Sequence, residues 1–157
     1  MKKETEKSFL ASYNIHDYDV PLTSVDMSIF AIINHKLHVL LVNRSEHPSK
    51  GSWALPGGFI HLDEDQDIDT TAHRKLIEKT GVASPYLEQV CSIGNKNRDP
   101  RGWSVTILYF ALIDYSMIKL IQKNTEETKW FLIKDADKIK LAFDHNELLH
   151  KAALRLR

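Results

Sequence analysis

Leu55-Pro56-Gly57-Gly58-Phe59 and, beyond an acidic loop, Arg74-Lys75-Leu76-Ile77-Glu78-Lys79-Thr80-Gly81-Val82 set a glycine loop in front of a helix. Pro56 stiffens the entry, and Gly57-Gly58 makes a bend without side chains, so backbone N–H groups can come close to a phosphate or a ribose. Phe59 and Ile60 are expected to pin the loop to the core. Ile68, Ala72 and Leu76 recur every fourth residue and predict a helix from about Asp67 to Lys79, with Gly81 as its C-terminal stop. Arg74 and Glu78 are spaced to pair along one face of it. Loops of this outline usually deliver carboxylates to Mg²⁺, yet this helix carries Lys75 and Lys79. A unit charge pair at ~4 Å is worth roughly 4 kcal/mol at the effective dielectric of a protein. Two ammonium groups therefore oppose tight metal binding there, and only the loop acids Asp63, Glu64 and Asp65 are left to rebuild a weak site.

On either side of this unit the chain reads as strands. Val25 to Ile33 and Leu37 to Val42, joined through Asn34-His35-Lys36, predict a hairpin rich in β-branched residues. Arg44 to Trp53 is a loop punctuated by Pro48 and Gly51. Further strands are expected near Tyr86–Ser92, Val105–Ile113 and Lys129–Ile133. A last helix, from about His145 to Arg157, turns Leu148, Leu149, Ala152, Ala153 and Leu154 inward. Two helices against a mixed sheet make an α/β (α+β) layered domain. Residues 1–20 read as an N-terminal arm or short helix anchored by Tyr13, Ile15 and Tyr18, and residues 21–157 as one domain.

Bulk properties narrow the function classes. The 157 residues carry 21 basic and 21 acidic side chains, so no global field recruits nucleic acid or an anionic membrane. Cys91 is the only cysteine, which excludes an internal disulfide and suits a reducing compartment; its apolar surroundings predict a buried small hydrophobe. No apolar stretch approaches the roughly 20 residues that span a bilayer. The expected location is the cytoplasm.

The loop–helix resembles the Nudix box, G-x5-E-x7-R-E-U-x-E-E-x-G-U with U a bulky aliphatic. Arg74, Leu76, Gly81 and Val82 match its arginine, first aliphatic, glycine and last aliphatic. Lys75 and Lys79 replace two of its three helix glutamates, Glu78 keeps the third, and Gln66 stands where the loop glutamate belongs. Gly58 lies two residues further from Arg74 than the pattern requires, so the loop is lengthened. The stretches Thr23–Asp26, Asn43-Arg44, Gly51–Phe59, Arg98-Asp99-Pro100-Arg101-Gly102-Trp103-Ser104-Val105-Thr106 and Leu141-Ala142-Phe143-Asp144-His145 are similar to those of NrtR-type repressors. These are Nudix-related transcriptional regulators of NAD metabolism. The likeness spans residues 20–157. It implies a Nudix-type α/β/α sandwich that senses ADP-ribose with little or no hydrolysis. It also implies a homodimer, with DNA bound only through a winged-helix domain that would follow Arg157.

Each candidate site residue has a structural reading beside the functional one. Arg98 and Arg101 present forks suited to phosphate oxygens, or else hold a solvated turn. Trp103 stacks on an adenine or fills core. Arg44 reaches a ligand or the loop acids, as the resemblance implies, or else makes a surface salt bridge. Gly57, Gly58 and Phe59 cradle a phosphate or terminal ribose, while Trp53 props the loop from below. Asp144 reads first as an N-cap, with Phe143 and His145 as pocket candidates. His61 and His73 read as ordinary polar side chains, and Arg74–Glu78 as a structural ion pair. Metal-free ligand sensing is one function; the alternative is an Mg²⁺-dependent hydrolase that splits ADP-ribose into AMP and ribose 5-phosphate with Glu64 and Glu78. Binding of an unrelated nucleotide is a third.

Overall fold

The structure, a computed structural model, describes residues 5–82, 86–117 and 127–157. Its frame is a mixed sheet in the order β3 (Trp53–Ala54), β2 (Lys36–Asn43), β1 (Leu22–Ile33), β6 (Ser104–Ile113), β5 (Leu87–Asn95). Two short partners complete it: β4 (Gly57–Phe59) pairs with the start of β1, and β7 (Thr128–Leu132) with β2. Among the described strands only β1 and β6 run parallel, in an unbroken register from Leu22↔Ser104 to Ala31↔Ile113. The expected hairpin is present. Asn34 and His35 both take positive φ, at 49° and 60°, the two-residue turn whose twist suits flanking strands.

β1 is buried on both faces, so it reads as an almost continuous apolar run. One face carries Val25, Met27, Ile29 and Ala31, which pack with Ala72 and Leu76 of α2 (Ile68–Thr80). Phe30, Leu41, Leu108 and Phe110 face the other way, onto Leu148, Leu149 and Ala152 of α4 (His145–Arg155) and Ala136 of α3 (Ile133–Ala136). The result is the helix–sheet–helix sandwich expected from the pattern. Leu154 departs from the expectation: it is half exposed, because it lies about 200° around the helix from Ala152. Ile68 likewise stays partly in solvent, while Thr71 and Thr80 complete the buried face of α2. Cys91 is half-buried, not fully enclosed.

α2 begins and ends as its sequence directs. Asp67 caps it, its Oδ1 accepting from Thr70 N–H at 2.7 Å, and Gly81 closes it at φ 70° with its N–H on the Ile77 carbonyl. The arm contains α1 (Glu6–Ser12) and a 3₁₀ turn at Ile15–Asp17. Tyr13 and Tyr18 stack at 5.4 Å, but neither they nor Ile15 reach the core. The three expected anchors are therefore at least 45% exposed. Among the described residues no helix is long and apolar enough to cross a membrane.

Candidate functional site

The sheet's parallel centre and the glycine loop meet around a cleft with a cavity of about 150 Å³. Gly57 shows how tightly the loop is set. A Cβ there would lie 2.2 Å from Asp26 Oδ1 and 2.5 Å from the Val25 carbonyl, so only glycine lets β4 lie against β1 at this point. Met27 N–H to the Pro56 carbonyl, at 2.8 Å, fixes the entry. Phe59 does not pin the loop to the core. It is 39% exposed, and the Arg101 guanidinium lies over its ring at 4.9 Å.

Behind the cleft is a buried polar group that joins three distant parts of the chain. Arg98 donates from Nε and Nη2 to the two oxygens of Asp144, both at 3.0 Å, and from Nη1 to Ser104 Oγ. Its Nη2 also lies 3.5 Å from Asp26 Oδ2, which in turn accepts from Thr106 Oγ1 at 2.7 Å. Asp144 thus occupies the N-cap position of α4 but makes no capping hydrogen bond. A nearly buried guanidinium needs a carboxylate partner more than a helix end that water can reach. His145 closes the group. Its Nδ1 accepts from Leu55 N–H at 2.9 Å, and its Nε2 lies 3.8 Å from Asp26 Oδ1. Burial, opposed by Asp26 and Asp144, pushes its pKa below the ordinary histidine value. Geometry points the same way, because a nitrogen accepting a backbone N–H cannot also carry a proton.

Of the residues expected at a ligand site, Arg44, Gly57, Gly58, Phe59, Arg98, Arg101, Phe143 and His145 line this one cavity. Arg44 lies over the Phe143 ring at 4.8 Å and donates to the Pro48 carbonyl at 2.8 Å. Arg101 forks onto Asp99, whose carboxyl it holds below the usual range. Trp103 lies elsewhere. It is half exposed, packs over Gly94, and borders a second depression with Val20 and Leu22. Trp53 meets Phe131 edge-on at 4.9 Å, and its carbonyl accepts Ala142 N–H, tying the loop to the turn before α4. Asp26, Asp99, Ser24, Ser104 and Lys79 also line the cavity and were not among the expected binding residues. Asp26 carried a readable signal: a carboxylate inside an apolar strand run must be paired when buried.

The loop acids are organised by Arg74. Its Nε and Nη2 bind both oxygens of Asp65, at 2.7 and 2.6 Å, and Asp65 also accepts from His61 N–H and Thr71 Oγ1. Asp65 is therefore a structural anchor. Its hydrogen bond with Arg74 heads the causes that hold its carboxyl far below the usual range. The expected Arg74–Glu78 contact exists at 3.2 Å but is secondary to Asp65. Glu78 also takes Lys75 Nζ at 3.1 Å, and Glu64 is bonded to His61 at 3.1 Å. His73 Nδ1 contacts the Asp69 carbonyl oxygen, and Asp69 accepts the Tyr109 hydroxyl. Among the described residues no three His, Cys, Asp or Glu side chains gather closely enough to hold a metal. The side chains at this helix make a poor donor set for Mg²⁺: Arg74 binds both oxygens of Asp65, Glu78 is held by Arg74 and Lys75, and Lys75 and Lys79 stand where carboxylates would be needed.

The architecture agrees with that of known proteins. Similarity reaches 53% identity with an ADPR responsive transcriptional repressor, NtrR, of Acinetobacter baylyi, over 97% of this chain and 61% of that protein. An ADP-ribose pyrophosphatase of Methanocaldococcus jannaschii is 28% identical over 94% of this chain and 81% of its own length. The NUDIX domain of Shewanella oneidensis NrtR, solved in complex with ADP ribose, superposes with a TM-score of 0.91 at 44% identity, covering 98% of this chain and all of that one. The chain thus spans about three-fifths of the Acinetobacter repressor. The NUDIX domain family model matches residues 23–152, from the start of β1 into α4, and with its glycine loop, box arginine and helix stop in place this chain belongs to that family.

Proposed function

We propose that this chain is the effector-binding domain of a transcriptional regulator of NAD metabolism, and that its effector is ADP-ribose. The observation that carries the reading is one cavity bringing Arg44, Arg98 and Arg101 together with the backbone of Gly57 and Gly58. Guanidinium forks and glycine N–H groups are suited to a diphosphate and its terminal ribose. The Acinetobacter repressor and the Shewanella domain bound to ADP ribose support that choice. A cavity of about 150 Å³ encloses only part of a ligand that size, so the adenosine end lies across the cleft's rim.

The regulator works as a homodimer in the cytoplasm and touches DNA only through a winged-helix domain beyond Arg157. Support for pairing comes from the arm: Phe9, Leu10, Ile15 and Val20 are 46–65% exposed, and α1 buries nothing. Ligand must bind the two states of the dimer unequally if it is to release DNA. Hydrolysis is the second reading. It is favoured by the pyrophosphatase relative and by Glu64 and Glu78 converging on Arg74, at 4.0 and 3.2 Å.

Thermal unfolding with and without ADP-ribose, followed by chromatography of the same samples, separates the two. The sensor reading predicts a raised Tm, by about 2.7 kcal/mol of added stability at a hundredfold excess over Kd, with ADP-ribose recovered intact. AMP and ribose 5-phosphate in parallel samples that also contain Mg²⁺ would establish the hydrolase.

A further inference from the structure

We infer that Asp26 and His145 form a hydroxyl-reading pair in the floor of this cleft, and that the group they take is a hydroxyl of the effector's terminal ribose. The inference rests on the proposed effector reading and adds to it the part of the ligand that the protein reads. Both residues line the cavity, with side chains 9% and 5% exposed respectively. Each has one polar atom satisfied and one left over. Asp26 Oδ2 accepts from Thr106 Oγ1 and lies 3.5 Å from Arg98 Nη2, whereas among the described residues no donor makes a hydrogen bond to Oδ1. His145 Nδ1 accepts from Leu55 N–H, which leaves the ring proton on Nε2. That N–H has no hydrogen-bond acceptor among the described residues; Asp26 Oδ1, at 3.8 Å, is beyond its direct reach.

A donor and an acceptor 3.8 Å apart are bridged by a single oxygen that makes two hydrogen bonds of about 2.7–2.9 Å. That oxygen must accept from Nε2–H and donate to a carboxylate, and a hydroxyl does both. A phosphate oxygen of the diphosphate has no proton to donate and carries the carboxylate's own sign, so the pair turns it away. Asp144 does not compete for the hydroxyl, because Arg98 occupies both of its oxygens. Gly57 keeps the pair open: a Cβ there would lie 2.2 Å from the same Asp26 Oδ1 and cover it. The enclosed space, about 150 Å³, suits a pentose better than a nucleoside, which assigns the hydroxyl to the terminal ribose.

Calorimetric titration of the intact chain with ADP-ribose and with its 1″-, 2″- and 3″-deoxy analogues, altered only in the terminal ribose, tests this. At least one analogue should bind wild type roughly ten- to a hundredfold more weakly, the range for a hydrogen bond to a charged group. His145→Asn keeps an acceptor near Leu55 N–H but places no donor where Nε2 stood. It should bind ADP-ribose more weakly and no longer distinguish that analogue from it. His145→Gln, which returns an N–H toward the Nε2 position, should recover part of the distinction, and Asp26→Asn should lose it. A merely structural role for the pair would weaken all four ligands alike. Circular dichroism melts identify any variant that fails to fold, and the analogue series on wild type decides the matter without one. Wild-type affinities for all three analogues within about threefold of ADP-ribose, well short of a charged hydrogen bond, overturn the inference and leave the effector reading standing. So does an analogue penalty that persists unchanged in folded His145→Asn. No binding of ADP-ribose by wild type removes the effector reading and this inference with it.

Discussion

Replacing Arg98 by methionine removes the cation from a nearly closed set of charges. Its side chain is 5% exposed, and the two carboxylates it serves, Asp26 and Asp144, are 9% and 16% exposed. Methionine keeps most of the volume, so the loss is electrostatic: two carboxylates remain in low dielectric, with the Thr106 hydroxyl donating to Asp26 and the guanidinium gone from Asp144. Breaking a buried pair by removing one partner costs about 3–5 kcal/mol. In a domain of this size each kcal/mol moves Tm by roughly 2–4 °C, so the melt should fall by roughly 6–20 °C. Urea unfolding monitored by tryptophan fluorescence should show the same loss as a lower midpoint with an unchanged slope. Adding Asp144→Asn should return part of it, because the double variant has one fewer stranded charge. A loss below about 1 kcal/mol, the scale of exposed ion pairs, would refute the description of Arg98 as a buried hub.

Two further perturbations probe the same site. Gly57→Ala forces a methyl into Asp26 Oδ1 and the Val25 carbonyl; it should cost about 1–3 kcal/mol in urea unfolding and abolish ADP-ribose binding, and wild-type stability would contradict the loop geometry. His145 makes stability depend on pH. Its folded pKa is depressed, so between that value and the unfolded value near 6.5 the unfolded chain binds more protons. Stability should be flat above pH 7 and decline as the pH falls below 6.5. His145→Gln should remove that slope in a pH series of denaturant melts, and an unchanged slope would assign it to other groups.

Elements held by local signals were legible in the sequence. The hairpin, α2 and α4 follow from β-branched runs, four-residue apolar spacing, Asp67 and Gly81, all of which act within a few residues. β3 and β4 were missed because two- and three-residue strands have no periodicity; they exist through pairing with β2 and β1. The site was half legible. Its arginines and glycines announce their chemistry, so the cavity gathers most of them. Their partners did not show, since Arg98 meets Asp144 across 46 positions and Thr106 meets Asp26 across 80. Asp144 looked like a cap, and locally it is placed as one; only a distant buried cation diverts its side chain. Asp65 looked like one loop acid among several until Arg74 closed on it. Trp103 shares a motif with Arg98 and Arg101 yet lies over Gly94, beyond the cleft.

The proposed effector role requires this Nudix domain to hold ADP-ribose with its own cations. Its most direct test is equilibrium dialysis of the unmodified chain against labelled ADP-ribose in excess EDTA, with the recovered ligand examined for cleavage. One intact ADP-ribose per chain, at an affinity unchanged by Mg²⁺, is the predicted result. Binding that needs Mg²⁺, or AMP in place of ADP-ribose, would contradict it.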